Sequence, residues 1–178
     1  MQLNTLTEAL YSELADLYDA EQQLVQKLPT ISESIFTPSF RIAIANHLDE
    51  TRDHISRLEK VFTMLGRKPE PDVCESMRGL LQEIDEIIAA PGEAPVKDAV
   101  LIGALQRVEH YEIAGYGTAR AFAEQLDLDD VADLLQESLD EEAFTDRKLT
   151  QLAEGGLFSG GVNIEASHAG QPRSQGNN

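Results

Sequence analysis

The chain has no tryptophan and a single cysteine, Cys74. One thiol makes no internal disulfide, which agrees with a reducing compartment, and it cannot build a Cys-rich zinc or iron–sulfur site. Any metal bound here must be held by oxygen and nitrogen. Positive charge is also scarce, with 14 Lys and Arg against 32 Asp and Glu, a net −18. That balance repels a phosphate backbone, and the basic residues are scattered singly with no Lys/Arg-rich arm, so nucleic acid is disfavoured as a partner. No apolar run comes near the roughly 18 residues that a membrane span needs. The start, "MQLNTLTEALYSEL", shows no basic region followed by an apolar block. The expectation is a soluble, cytoplasmic protein with no membrane partner. Its 178 residues suffice for one domain with a sizeable core, or one domain plus a tail.

What is present is helical periodicity, in a chain dominated by Leu, Ala, Glu and Gln up to residue 154. The chain reads as all-α. Thr5 and Glu8 have capping-box spacing ahead of a helix that carries Leu10, Leu14, Leu17, Leu24 and Leu28 on one stripe until Pro29 interrupts it. A second helix starts at "TPSF", with Thr37 placed to cap and Pro38 at the first helical position. It turns Ile44, Leu48, Ile55, Leu58 and Phe62 inward and stops at Gly66. A shorter helix covers about Cys74 to Ala89 and ends at "APGEAP". Pro95 begins a third long helix, with Leu101, Leu105, Val108, Ile113 and Phe122, reaching about Leu126. The acidic "DLDD" at 127–130 caps a fourth, with Leu135, Leu139, Leu149 and Leu152 inward and Gly155 at its end. Residues 155–178 are rich in Gly, Ser and Asn and read as a flexible or loosely docked tail after a domain of residues 1–154.

The order is thus long, long, short, long, long, with short links inside each pair and about 30 residues between the pairs. A long connection is needed only where consecutive helices run parallel. One crossover in the middle predicts a ferritin-like four-helix bundle whose short extra helix lies across one end.

The inward stripes of all four long helices are broken by carboxylates near mid-length. Glu21 lies in the line Leu14, Leu17, Leu24, Leu28. Glu112 follows Leu105 and Val108, with Glu109 one turn earlier on the same face. The fourth helix reads Leu135, Ser138, Glu142, Thr145, Leu149, and the second reads Ile44, Leu48, Thr51, Ile55 with Glu50 and His54 flanking Thr51 and His47 nearby. A buried carboxylate costs several kcal/mol uncompensated, and a cluster repels itself further. Several Glu with a His at near-equal height are the composition expected for two adjacent metal ions, iron first and manganese second.

Each position also has a structural alternative. Singly, Glu21 reads as the edge of a stripe, and His47 and His54 as surface or outer histidines. His54 lies four residues after Glu50, whereas the usual di-iron spacing is three, where Asp53 stands on the opposite side. The fourth helix offers Glu141, Glu142 and Asp146 but no His, and Asp146, one turn beyond Glu142, is the substitute ligand. His110 lies about 100° round the helix from Glu109 and suits packing or an interface. "LDE" recurs at 48–50 and 139–141, and Glu21 and Glu112 hold equivalent stripe positions, so the two helix pairs form a weak repeat. Tyr18 stands where Glu109 stands in the other pair. The halves should therefore be unequal, the metal near Glu109 having the more anionic ligands and the other leaning on Glu50 and His54.

The segments "DLYDAEQQL" (16–24), "NHLDETRDHISRLEKVF" (46–62), "VEHYEIAGYGTARAFAEQL" (108–126) and "LLQESLDEEAFTDRKLTQLA" (134–153) closely resemble the bacterial YciE/YciF family of ferritin-like proteins over about residues 5–153. The resemblance implies a ferritin-like bundle, dimers, an association with stress responses and a dinuclear metal site. Its acidic pattern falls on Glu21, Glu50, Glu109, Glu112 and Glu142. Two functions compete. One is a dinuclear carboxylate protein that reacts with oxygen or peroxide, with Tyr18 a core residue or a nearby electron donor. The other is a non-catalytic metal-binding or assembly protein that uses the bundle as a scaffold.

Overall fold

In the computed structural model, residues 4–69, 72–156 and 159–170 are described. Five main helices follow one another: α1 (Leu6–Ser34), α2 (Pro38–Met64), α3 (Glu75–Ala89), α4 (Ala94–Gln125) and α5 (Asp129–Glu154). The start of α1 is the capping box, in which Thr5 accepts from the Glu8 N–H while the Glu8 carboxylate accepts from the Thr5 N–H. Pro38 opens α2, and Gly66 at φ +67° releases the chain from its end, a conformation that costs glycine little. Asp129 and Asp130 stand in the first turn of α5, where the helix dipole favours negative charge.

Side-chain contacts fix the directions. Glu21 meets His54 and the Tyr11 hydroxyl reaches the Leu65 carbonyl, so α1 and α2 run antiparallel. Gln106 bonds Thr150 and His110 faces Asp146, so α4 and α5 do too. Thr145 faces Glu50 and Arg57 bonds Ser138, so α2 and α5 are also antiparallel. Successive long helices α2 and α4 therefore point the same way, and α3 lies in the crossover between them. This is the ferritin-like four-helix bundle.

Four expectations change. Pro29 does not end α1, which runs on to Ser34. The proline is exposed while Leu28 and Ile31 beside it are buried, so packing on the inward side outweighs one missing backbone bond on the outward side. Thr37 makes no capping bond. Instead the carboxylate of Asp98 on α4 accepts the N–H groups of Phe36 at 3.1 Å and Thr37 at 2.7 Å, capping α2 from a neighbouring helix. The acidic run before α5 makes no side-chain cap either, its N-cap position being Leu128. Finally, α3 does not lie across an end. Its buried Met77, Leu81 and Ile84 fill the flank between α1 and α4, each such side chain contributing roughly 1.5–3 kcal/mol, and Cys74 caps it by accepting from the Met77 N–H. Burial raises the pKa of that cysteine, whose thiol also touches the Tyr111 hydroxyl and Asp16.

After α5, Gly155–Gly156 pairs antiparallel with Ser159–Gly160, and a helix α6 (Val162–His168) rests on α4 and α5 with Val162 buried. At Gly161 a Cβ would come within 2.2 Å of the Ala153 carbonyl, so only glycine lets the chain turn back there. Residues 171–178 of the expected tail lie outside the described residues.

The apolar interior comes in two clusters. One joins Leu24, Leu28 and Ile31 to Ile44, Leu101, Leu105 and the α3 face; the other joins Leu10, Leu14 and Leu17 to Val61, Phe62, Ala119 and Leu135. Between them lies a layer of buried polar side chains.

Candidate metal centre

That layer contains Glu21 from α1, His47, Thr51 and His54 from α2, Glu109 and Glu112 from α4, and Ser138, Glu142 and Thr145 from α5, all buried. The long Leu stripes above and below hold these positions inward, because a helix cannot turn one residue out without turning its neighbours at three and four residues.

Two groups of possible ligand atoms form within the layer, His47 with Glu109, Glu112 and Glu142, and Glu21 with His54 and Glu142. Glu142 belongs to both. His54 Nδ1 lies 3.1 Å from Glu21 Oε1 and 2.8 Å from Glu142 Oε1. On the other edge of the ring, Nε2 lies 2.8 Å from Glu141 Oε2. His47 Nε2 is 3.4 Å from Glu109 Oε1, and its Nδ1 is 3.7 Å from Glu50 Oε2. The Tyr116 hydroxyl donates to Glu21 Oε1 at 2.5 Å, and the Tyr116 ring stands edge-on to His54. Among the described residues, one Glu21 oxygen, both His47 nitrogens and all carboxylate oxygens of Glu109, Glu112 and Glu142 are buried without a hydrogen bond.

The electrostatics are those of an anionic cluster short of positive charge. Burial, then Glu142 and the other nearby carboxylates, drives Glu109 and Glu112 far above the ordinary carboxyl range. Burial also raises Glu21, against the pull of His54. Burial works against a charged His54, but Glu21 and Glu142 outweigh it and raise its pKa to about 11. Glu142 is the exception. Burial opposes its charge, yet the close approach of His54 at 2.8 Å and the fields of His47 and His54 hold it low. Protons thus substitute for part of the missing positive charge. Six carboxylate or imidazole side chains around one buried layer form a hard oxygen and nitrogen donor set suited to iron or manganese.

Of the seven residues read as ligands, five come together here: Glu21, His54, Glu109, Glu112 and Glu142. Glu50 stands at the rim, its side chain 37% exposed, beside His47 rather than beside His54. The assignment of Glu50 to the half opposite Glu109 is therefore corrected. Asp146 turns away, bonded by Gln106 at 3.0 Å and facing His110, so a position one turn beyond Glu142 is taken by the neighbouring helix. His47 is wholly inside rather than on the surface. Its signal in the sequence was its spacing, since 47, 51, 54 and 58 form a second inward line beside 44, 48, 51 and 55. Tyr18 does not face the layer, because it bonds Glu59 and packs on Phe62. The tyrosine at the site is Tyr116.

An offset of 91 residues (21 to 112, 50 to 141) maps α1 and α2 onto α4 and α5. The usual Glu-x-x-His pair of ferritin-like dinuclear proteins is then seen to be divided between the hairpins. Residues 51–54 read Thr-Arg-Asp-His and 142–145 read Glu-Ala-Phe-Thr. One helix keeps the histidine, the other keeps the glutamate, and the Thr51 hydroxyl is spent on the His47 carbonyl at 2.8 Å.

Residues 5–162 match the family described as Domain of unknown function (DUF892). Protein YciF of Escherichia coli K12 is 40% identical over 154 residues, which cover 86% of this chain and 93% of that protein. The crystal structure of the E. coli stress protein YciF superposes with a TM-score of 0.82 at 39% identity, covering 85% of this chain and 96% of the other. A YcfI structure from Rhodopseudomonas palustris gives 0.83 at 38% identity, covering 85% and 97%. A protein from Xanthomonas campestris shares the fold with a TM-score of 0.73 at 18% identity, covering 92% and 97%. With the fold, the matched length and the identity in agreement, the chain belongs to the DUF892 family, that of YciF.

Proposed function

We propose that this chain is a ferritin-like dinuclear metal carboxylate protein whose two ions are iron or manganese. The observation that carries the proposal is the set of buried, unbonded oxygen and nitrogen atoms of Glu21, His47, Glu109, Glu112 and Glu142. Leaving such groups bare costs about 1–3 kcal/mol each, and more for charged ones, so their retention in one layer has a purpose that cations satisfy together. His47, Glu109 and Glu112 would hold one ion, Glu21 and His54 the other, and Glu142 would bridge.

Iron or manganese so held supplies one-electron redox chemistry and a Lewis acid for a small oxidant such as oxygen or peroxide. The chain's own residues supply the surroundings. The two leucine-rich clusters exclude water above and below the layer. Glu142 is kept anionic by the two histidines, and the Tyr116 hydroxyl holds Glu21 in place and has a proton to give at its oxygen. The wider reading is a stress-related cytoplasmic homodimer. Its stress element rests on the description of the E. coli relative as a stress protein.

The test is metal content followed by reactivity. Purified protein reconstituted anaerobically with ferrous iron should hold about two ions per chain, consume peroxide and gain near-ultraviolet absorption in air. Two bound ions with no consumption and no absorption would leave the alternative, a metal-binding scaffold without catalysis. Sizing in solution should give a dimer, since mineral storage would need a closed shell.

A further inference from the structure

Glu141 was one of three acidic candidates on α5, and its place in the structure points to a different job. Its Oε2 contacts Nε2 of His54, on the edge of the imidazole ring that faces away from Glu21 and Glu142. Glu141 is also unlike the layer it touches, because its side chain is 42% exposed while His54, Glu21 and Glu142 are fully buried. It does not stand alone in solvent. Arg57 donates to both of its oxygens, at 3.0 and 3.4 Å, and anchors on the Ser138 hydroxyl at 2.7 Å and Glu137 at 3.3 Å.

We infer that Glu141, held by Arg57, is a positioning residue: it binds no ion, but fixes the His54 ring through Nε2 so that Nδ1 is presented to a cation shared with Glu21 and Glu142. The inference rests on the metal-centre reading above. Two features give it physical weight. Ligating histidines are ordinarily oriented by a carboxylate or carbonyl on their other nitrogen, and losing that partner costs metal affinity about 10–100-fold. In addition, the repeat assigns the carboxylate and its cation twice, although His54 itself corresponds to Thr145, whose hydroxyl donates to Glu50 at 3.4 Å. Glu141 and Arg57 correspond through the 91-residue offset to Glu50 and Lys148, and Glu50 is likewise a rim carboxylate beside a site histidine, His47, with Lys148 in its field. The recurring "LDE" thus places a rim carboxylate beside each histidine of the layer. Only the Glu141 contact is within bonding distance, at 2.8 Å against 3.7 Å for Glu50 and His47. The competing view is an exposed ion pair on Arg57 with no effect on the site.

Zinc is a suitable probe because it is diamagnetic and takes both nitrogen and oxygen donors. Full-length wild type, Glu141→Leu and Glu141→Gln would be titrated with zinc against a competing chelator, while long-range 1H–15N spectra of the histidine rings report which nitrogen is coordinated. Wild type should show His54 bound through Nδ1 with the proton on Nε2. Glu141→Leu should weaken the Glu21/His54/Glu142 half by about tenfold or more, leave the His47 half unchanged, and lose the single His54 signature. Glu141→Gln, which keeps an acceptor oxygen, should recover most of the affinity and the signature. Wild-type affinity and an unchanged His54 spectrum in Glu141→Leu would overturn the inference alone, as would equal weakening of both halves. Failure of wild type to bind zinc at either histidine would overturn the metal-centre reading and this inference with it.

Discussion

Set side by side, the α1/α2 and α4/α5 hairpins share a backbone plan and differ in what they place at matched positions. Glu21 corresponds to Glu112 and Glu50 to Glu141, but Tyr18 corresponds to Glu109, Thr51 to Glu142, His54 to Thr145 and His47 to Ser138. Both histidines of the buried layer come from α2, and three of its four buried glutamates from the second hairpin. Neither hairpin has a complete donor set. The difference teaches that the site is a property of the docked pair, so any cation held there and hairpin association would favour each other.

The largest effect should come from the residue common to both halves. Glu142→Ala removes a carboxylate from each ligand group, and elemental analysis of reconstituted protein should find neither ion at concentrations that saturate wild type. Retention of one ion would make the halves independent and break the comparison.

Acidity should separate the metal-free protein from the loaded one. Glu21, Glu109 and Glu112 have pKa values raised above 4.5 by burial, so the stability they contribute is whole below that pH and is lost as pH rises through the raised values. His54 acts in the same sense, its share complete below 6.5 and lost toward 11. Glu142, held low, loses its share only below 4.5. Metal-free protein should therefore melt lower at pH 8 than at pH 5, by at least about 5 °C given a few kcal/mol and this chain length, and manganese should abolish or invert the slope. A flat metal-free profile would mean that the buried carboxylates are not proton-linked.

A smaller change tests the inequality of the halves. Glu109→Leu replaces a buried acid whose oxygens have no hydrogen bond, with only His47 nearby at 3.4 Å, so chemical denaturation of the metal-free protein at pH 8 should show about 1–3 kcal/mol of added stability, with affinity reduced only in the His47 half. Loss of stability instead would show that Glu109 has a structural partner. Smallest is Asp146→Asn. Its contacts are Gln106 and His110, so metal content should be unchanged and stability should move by no more than about 0.5 kcal/mol. Loss of an ion would return Asp146 to the ligand set.

How far the sequence carries depends on what each feature depends on. Leucine spacing and the Thr5 capping box are local, and they were enough for the order of the helices, the crossover and the inward lines through Glu21, Glu112 and Glu142. His47 was harder, because the inward face of a helix is wide enough for two adjacent lines to satisfy the same period. The contacts of Asp146 were not legible because Gln106 and His110 sit on another helix. Thr37 looked like a cap until Asp98, distant in the chain, supplied one. Each of these turns on a neighbour that only docking brings near.

The two leucine-rich clusters do not merge but meet at a layer of acids and histidines, so midway along the bundle apolar attraction gives way to buried carboxylates whose charge protons or cations must neutralise. Mechanically this makes the molecule two clamps, for which bound cations would serve as the hinge pin. With the pin in place the four helices should behave as one cooperative body, and without it the ends can loosen in turn, which amide exchange along α1 and α4 would register as two protection levels where the loaded protein shows one.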